Sequence, residues 1–108
     1  MEEKEIGMYI HMPFCKQRCY YCDFTSYADK YDRVARYIKC LKKEIVQYAN
    51  ENRIMSEHGL EPQYVINTIY IGGGTPSSIN EEHIIDVLDT IKGNFKVKNN
   101  AEITIEVN

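Results

Sequence analysis

Apolar positions recur along the chain in two rhythms. Residues 8–12, MYIHM, alternate, with Met8, Ile10 and Met12 on one side and Tyr9 and His11 on the other, which is the period of a strand; Pro13 ends it. From Asp29, a residue type that caps helices, Tyr31, Val34, Ala35, Ile38, Leu41, Ile45 and Tyr48 recur at steps of one, three and four. That stripe predicts a helix over about residues 30–52, fraying toward Met55, with Gly59 and Pro62 marking the turn after it. Residues 64–71, YVINTIYI, form a β-branched and aromatic run that predicts a second strand feeding into a turn at Gly72, Gly73 and Gly74. Asn80 is placed to cap a second helix, with Glu81 and Glu82 in its first turn, Ile84, Leu88, Ile91 and Phe95 as its buried stripe and Gly93 near its end. A third strand, Glu102 to Val107, alternates Ile103, Ile105 and Val107 against Glu102, Thr104 and Glu106.

The order strand, helix, strand, helix, strand predicts an α/β chain of right-handed βαβ units with a parallel sheet. Parallel strands are normally covered on both faces and read as near-continuous apolar runs. Here each strand carries a polar or gapped second face: Tyr9 and His11, then Thr68, Tyr70 and Gly72, then Thr104 and Glu106. The pattern therefore predicts one face packed by helices and another lining a polar cavity, a solvated or partner-covered face being the alternative.

Composition narrows the function classes. With 108 residues, 44% hydrophobic and 27% charged, the chain is one ordered domain or part of one. A formal net charge of −3, with no block of like charge, gives no bulk attraction to nucleic acid or to an anionic membrane. The opening residues MEEKEI lack the basic and apolar regions of a secretory signal, and no apolar run approaches the roughly 20 residues of a membrane helix. The expectation is a cytoplasmic protein without stable membrane insertion. In such a compartment clustered cysteines are more often metal ligands or redox groups than disulfides.

Three of the four cysteines, Cys15, Cys19 and Cys22, fall within eight residues in a loop (13–27) just beyond the first strand. Ligand sites of α/β folds collect at such carboxyl ends. Thiolate softness favours an iron-sulfur cluster or zinc. A cubane 4Fe-4S cluster normally takes four cysteines, so three would leave one iron open to a substrate or cofactor. Zinc bound by three cysteines and a histidine (His11, His58 or His83) is the competing arrangement. Cys40 lies off the helical stripe and reads as an incidental thiol.

A second candidate site is IYIGGGTPSSI, Ile69 to Ile79. Its consecutive glycines let backbone approach a ligand and expose N–H and C=O groups, while Thr75 adds a hydroxyl and Pro76 stiffens the exit. It is neither a Walker loop nor the spaced dinucleotide fingerprint. The third element is Glu106, an inward carboxylate near the end of strand three that must be hydrated, paired or ligand-bound.

Taken together these residues resemble the radical S-adenosylmethionine (SAM) enzymes. The C-x3-C-x2-C spacing of Cys15, Cys19 and Cys22, with Tyr21 before the last, is that superfamily's signature, and GGGTP at 72–76 is similar to its methionine-binding glycine motif. YIHMPFC, CYYCDF, IYIGGGTPSSI and EITIEVN are similar to the oxygen-independent coproporphyrinogen III oxidase-like group, which includes heme chaperones. The resemblance implies the N-terminal β-α-β-α-β part of a partial (βα)6 TIM-like barrel. It implies a 4Fe-4S cluster on Cys15, Cys19 and Cys22 whose open iron is chelated by SAM, one-electron cleavage to a 5'-deoxyadenosyl radical, and a flavodoxin- or ferredoxin-like electron donor. By position, Tyr9 and Tyr21 would contact SAM, Gly73, Gly74 and Thr75 would hold its methionine end, and Glu106 would reach it from strand three. Heme or porphyrin is the implied ligand of the full-length protein.

Two departures bear on that reading. Coproporphyrinogen-oxidising members carry a further cysteine two residues beyond the third, where this chain has Phe24, which favours the heme chaperone branch. The chain also stops at Asn108, at its third strand, so it reads as an N-terminal fragment of a core domain, unable to complete catalysis alone.

Overall fold

The computed structural model describes residues 2–12, 27–73 and 81–106, with the backbone alone for 27–32. Five elements follow one another: β1 (Glu3–Met12), α1 (Tyr27–Glu57), β2 (Gln63–Gly73), α2 (Glu81–Asn94) and β3 (Lys96–Ile105). The strands form one parallel sheet in the order β1-β2-β3, the α/β arrangement the alternation predicts.

The core lies on one side of this sheet. Ile10 and Met12 of β1, Ile66, Ile69 and Ile71 of β2, Ile38 and Ile45 of α1, and Ile84, Val87 and Ile91 of α2 form a single buried cluster. Burial of apolar area on that scale is the main term holding the helices to the sheet. Lys42 of α1 and Asp86 of α2 add an ion pair at 2.9 Å across the helix seam.

A bulge makes this core possible. Ile66 and Ile69 are three residues apart, so a regular strand would place them on opposite faces. Ile6 pairs with Ile66 and Gly7 with Thr68, leaving Asn67 as the extra residue on β2. The phase shift returns Ile69 and Ile71 to the helix side and turns Thr68 and Tyr70 to the other. Asn67 is tethered there by a bond from its Nδ2 to Glu5 Oε1, 3.1 Å. Toward β3 the register jumps from Ile66↔Val97 to Thr68↔Glu102.

Several boundaries differ from the sequence reading. Asp29 lies inside α1, which starts at Tyr27, so it is not the cap. The buried stripe of α1 runs through Ile38, Ile45, Ala49, Asn52 and Ser56, while Ala35 and Tyr48 are exposed. Steps of four, three and four from Ile45 follow the helical period, and the step of three to Tyr48 turns that ring outward. The helix closes with Gly59 N–H donating to the Ser56 carbonyl at 3.1 Å and Leu60 N–H to the Met55 carbonyl at 2.8 Å, a Schellman-type end. Asn52, buried, then holds the following loop. Its amide donates to Glu61 Oε1 at 2.9 Å and to the Pro62 carbonyl at 3.0 Å, and its Oδ1 accepts from Tyr64 N–H at 3.0 Å.

β2 does not stop at the glycines: Gly72 pairs with His11 and Gly73 with Met12, so both are strand residues. In α2, Val87 joins Ile84 and Ile91 as buried, with Leu88 and Phe95 packing partly against the core. β3 begins at Lys96, six residues before the expected Glu102. Among the described residues β3 is an edge strand, which is why Ile103 and Ile105, in register with Ile69 and Ile71, stay 38% and 37% exposed. Asn80 and Val107 lie outside the described residues. No described helix is long and apolar enough to cross a membrane.

Candidate functional site

The face of the sheet turned away from the helices is polar, and its character changes along the strands. Toward the amino ends, Lys96 of β3 reaches Glu3 of β1 and Lys98 reaches Glu5, each at 2.8 Å, so two ion pairs bridge the outer strands across β2. The Lys98 hydrogen bond, the Asn67 hydrogen bond and the Lys98 charge together hold the Glu5 carboxyl below its ordinary range. Toward the carboxyl ends the charges give way to aromatic rings and one carboxylate.

Tyr9 of β1 and Tyr70 of β2 are cross-strand partners, and their rings stack with centroids 5.7 Å apart and planes at 19°. The Tyr9 hydroxyl meets Nδ1 of His11 at 3.2 Å. On the other flank, Tyr70 Oη donates to Glu106 Oε2 at 3.4 Å, a long bond, while Gly73 N–H donates to Glu106 Oε1 at 3.1 Å. The Glu106 backbone N–H, bonded to the Ile71 carbonyl at 2.9 Å, fixes where that side chain starts. Glu106 raises the Tyr70 phenol above its ordinary range, first through its negative charge. Tyr70, like any phenol a neutral donor near pH 7, keeps its proton further into the alkaline range.

Two glycines make room for this cluster. A side chain at Gly72 would begin 2.7 Å from Tyr70 Cε1 and 3.1 Å from the Tyr9 hydroxyl, so the rings lie directly over its backbone. Gly73 has φ +117°, and a Cβ there would fall 2.8 Å from the carbonyl carbon and 2.9 Å from the amide nitrogen of Met12. Only glycine fits that conformation in that place. The Gly73 N–H is the one that meets the Glu106 side chain.

The end of β1 is held from the helix side as well. Tyr37 of α1 donates its hydroxyl to the His11 carbonyl, directly before the segment that carries the cysteines. Burial pushes the Tyr37 phenol above its ordinary range, with the charges of Glu44 and Tyr9 adding to it.

Of the residues expected from sequence, Tyr9, Gly73 and Glu106 are brought into one connected set with His11. Cys15, Cys19, Cys22, Tyr21, Gly74 and Thr75 lie outside the described residues, and among the described ones no group of three or more histidine, cysteine or carboxylate side chains could hold a metal. His58 is turned to the Ile54 carbonyl at 2.8 Å, and Cys40 is exposed on α1. Sequence reasoning placed Tyr70 on the polar face without a role; its cross-strand position opposite Tyr9 is the signal that would have found it. Tyr37 falls between positions of the apolar stripe and left no such signal.

Two depressions, about 490 Å³ along the outer side of α1 near Cys40 and about 310 Å³ near Asn52 and Phe95, include no residue of this set. The polar cluster is an open platform at the carboxyl ends of parallel strands, where α/β folds bind ligands.

No family model matches the chain. Among known proteins it is 38% identical over 104 residues to a heme chaperone HemW of Buchnera aphidicola subsp. Schizaphis graminum, an alignment that takes in 95% of this chain and 25% of the relative. It is 32% identical over 104 residues to the mitochondrial radical S-adenosyl methionine domain-containing protein 1 of Danio rerio, covering 96% of this chain and 21% of the relative. The solved structure of coproporphyrinogen III oxidase (HemN) from Escherichia coli, described as a radical SAM enzyme, superposes with a TM-score of 0.71 at 29% identity, covering 97% of this chain and 22% of that one. The chain thus spans about a quarter of the length of the relatives it matches. Sequence and fold agree over nearly all of its residues: the chain belongs to the radical SAM family of the HemW and HemN type and matches the N-terminal part of that fold.

Proposed function

We propose that the chain forms the cofactor-holding part of a radical SAM core, in a protein that binds heme or a porphyrin. The observation that carries this reading is the Glu106 carboxylate, held on the Gly73 amide beside the stacked Tyr9 and Tyr70 rings at the carboxyl ends of the sheet. The donor set fits the amino-acid end of SAM. Glu106 spends one acceptor position on Gly73 N–H and one on Tyr70, which leaves lone pairs to accept from an ammonium group. Gly72 and Gly73, which tolerate no Cβ, let the Tyr9 and Tyr70 rings and the Met12 backbone close up against the end of β2, so that rings, amide and carboxylate sit together. Tyr9, 57% exposed, offers a ring face and edge to a cationic or planar group.

On this reading Cys15, Cys19 and Cys22 hold a 4Fe-4S cluster, their thiolates being the soft ligands that iron prefers. Tyr9, Tyr21, Gly73, Gly74, Thr75 and Glu106 hold SAM. When bound, cluster and SAM together would supply a one-electron cleavage of the sulfonium, and the residues named would orient the pair. Phe24, in place of a further cysteine, and the resemblance to relatives named heme chaperones favour heme delivery over coproporphyrinogen oxidation.

The test is anaerobic reconstitution with iron and sulfide, then low-temperature EPR of the reduced protein with and without SAM. A cluster signal that changes when SAM is added is the expected result. Zinc retained in place of iron, or a cluster signal indifferent to SAM, overturns the assignment.

A further inference from the structure

We propose that Tyr70 is a positioning residue of this site, setting the Tyr9 ring and the Glu106 carboxylate as one unit. The inference rests on the cofactor reading above and adds to it a residue that the motif spacing does not single out. Tyr70 occupies the central strand, with Tyr9 beside it on β1 and Thr104 on β3. Its ring stacks on Tyr9 at 5.7 Å, and its hydroxyl reaches past Thr104 to Glu106 Oε2 at 3.4 Å. One side chain thus touches Tyr9 on β1 and Glu106 just beyond the end of β3.

The consequence follows from counting tethers. The Glu106 carboxylate is fixed at Oε1 by the Gly73 amide. A carboxylate held at a single oxygen can still rotate about that bond, and a second donor on Oε2 fixes its plane. The Tyr9 hydroxyl likewise has His11 at 3.2 Å, but the tilt of its ring is set by the Tyr70 face. Gly72 permits both: the Tyr70 ring edge lies where a Cβ would otherwise be. A phenol is protonated across the neutral range in any case, and the charge of Glu106 moves its ionisation further into the alkaline, so the donor persists. A ligand ammonium would meet a carboxylate already aimed, and a ligand face would meet an aromatic already seated, which reduces the ordering that binding requires.

Equilibrium binding of SAM to the anaerobically reconstituted protein tests this, using wild type, Tyr70→Phe, Tyr70→Leu, Glu106→Gln and the Tyr70→Phe/Glu106→Gln double variant. Iron content and a thermal melt serve as controls on cluster and fold. Removing the hydroxyl alone is expected to weaken binding about three- to ten-fold, the range of one hydrogen bond, with iron content unchanged. Removing the ring should weaken it further. In the Glu106→Gln background Tyr70→Phe should add little, because it acts through that carboxylate.

Wild-type binding with Tyr70→Phe indistinguishable from it overturns the role of Tyr70 and leaves the cofactor reading standing. Losses that multiply in the double variant overturn it as well. Wild type carrying a cluster yet binding no SAM overturns the cofactor reading, and Tyr70's role with it. Should Tyr70→Leu fail to fold, Tyr70→Phe alone carries the decision.

Discussion

The Gly73 amide donates to the Glu106 carboxylate at 3.1 Å, joining the last residue of β2 to the residue just beyond β3. Gly73 also adopts the left-handed φ of +117°, and the amide that holds the carboxylate belongs to the position where β2 ends. Sheet geometry and site geometry are therefore the same feature.

Gly73→Ala and Gly72→Ala should separate those two roles. At position 73 a methyl group meets the rigid backbone of Met12 in a conformation that alanine avoids, and the loss of stability should be at least about 1–3 kcal/mol. At position 72 the neighbours are the edges of Tyr70 and Tyr9, which can swing aside. Stability should fall less there, while the Tyr9–Tyr70 stack opens. Urea midpoints give the first quantity, and ring-to-ring nuclear Overhauser effects between the two tyrosines give the second. Equal midpoints for the two variants would contradict the distinction.

Asn52→Ala should be among the more damaging polar substitutions in the chain. Its side chain bonds Glu61, the Pro62 carbonyl and the Tyr64 amide, and nothing in alanine replaces them. Leaving the Tyr64 N–H and the Pro62 carbonyl to find water from a part-buried position should cost about 1–3 kcal/mol. Asn52→Asp keeps an acceptor for the Tyr64 N–H but places a charge beside Glu61, and should recover only part of the loss. Chemical denaturation of the three proteins at matched pH decides it.

How far the sequence carries this fold depends on whether the signal is local. Alternation in MYIHM and the stripe of α2 announce their elements because neighbouring residues share one environment. The extent of β3 is not announced, since residues 96–101 acquire strand geometry from Lys96 and Val97 pairing with Val65 and Ile66, a tertiary contact. Asp29 illustrates the opposite failure, a good capping residue overridden by a helix that starts earlier. At the site, Gly73 and Glu106 were legible as residue types in suggestive places. Their mutual bond spans 33 residues and depends on the register between β2 and β3, which no local pattern encodes. Tyr37 is legible only once α1 is known to pack over the end of β1.

Tyr37→Phe should loosen the end of β1 and change the alkaline behaviour of the fold. The Tyr37 hydroxyl donates to the His11 carbonyl, and only the protonated phenol can do so. Burial, aided by the charges of Glu44 and Tyr9, places its folded-state value above the ordinary tyrosine value of 10.0. The associated stability is thus complete below the unfolded-state value and is lost as pH rises through the raised one. Wild type should lose stability over that alkaline window faster than Tyr37→Phe does. Denaturation midpoints of both proteins from neutral to alkaline pH show it, and parallel curves would rule it out.

Glu5 supplies the opposite sign at the acid end. Its carboxyl is held down by the hydrogen bond from Lys98, then by Asn67 and by the Lys98 charge, in a pair that ties β3 to β1 across β2. A depressed folded-state value means that its contribution is present above the unfolded-state value and disappears as pH falls through the folded one. Because the pair is open to solvent, added salt should weaken it in the same direction as acid. Lys98→Met removes both the charge and the donor, so the Glu5 titration followed by carboxyl carbon NMR should move up toward the ordinary carboxylate value. Asn67→Ala should move it up by less. The ordering of those two displacements is the informative outcome: a larger one for Asn67→Ala would make the bulge residue, rather than the cross-sheet ion pair, the main support of Glu5.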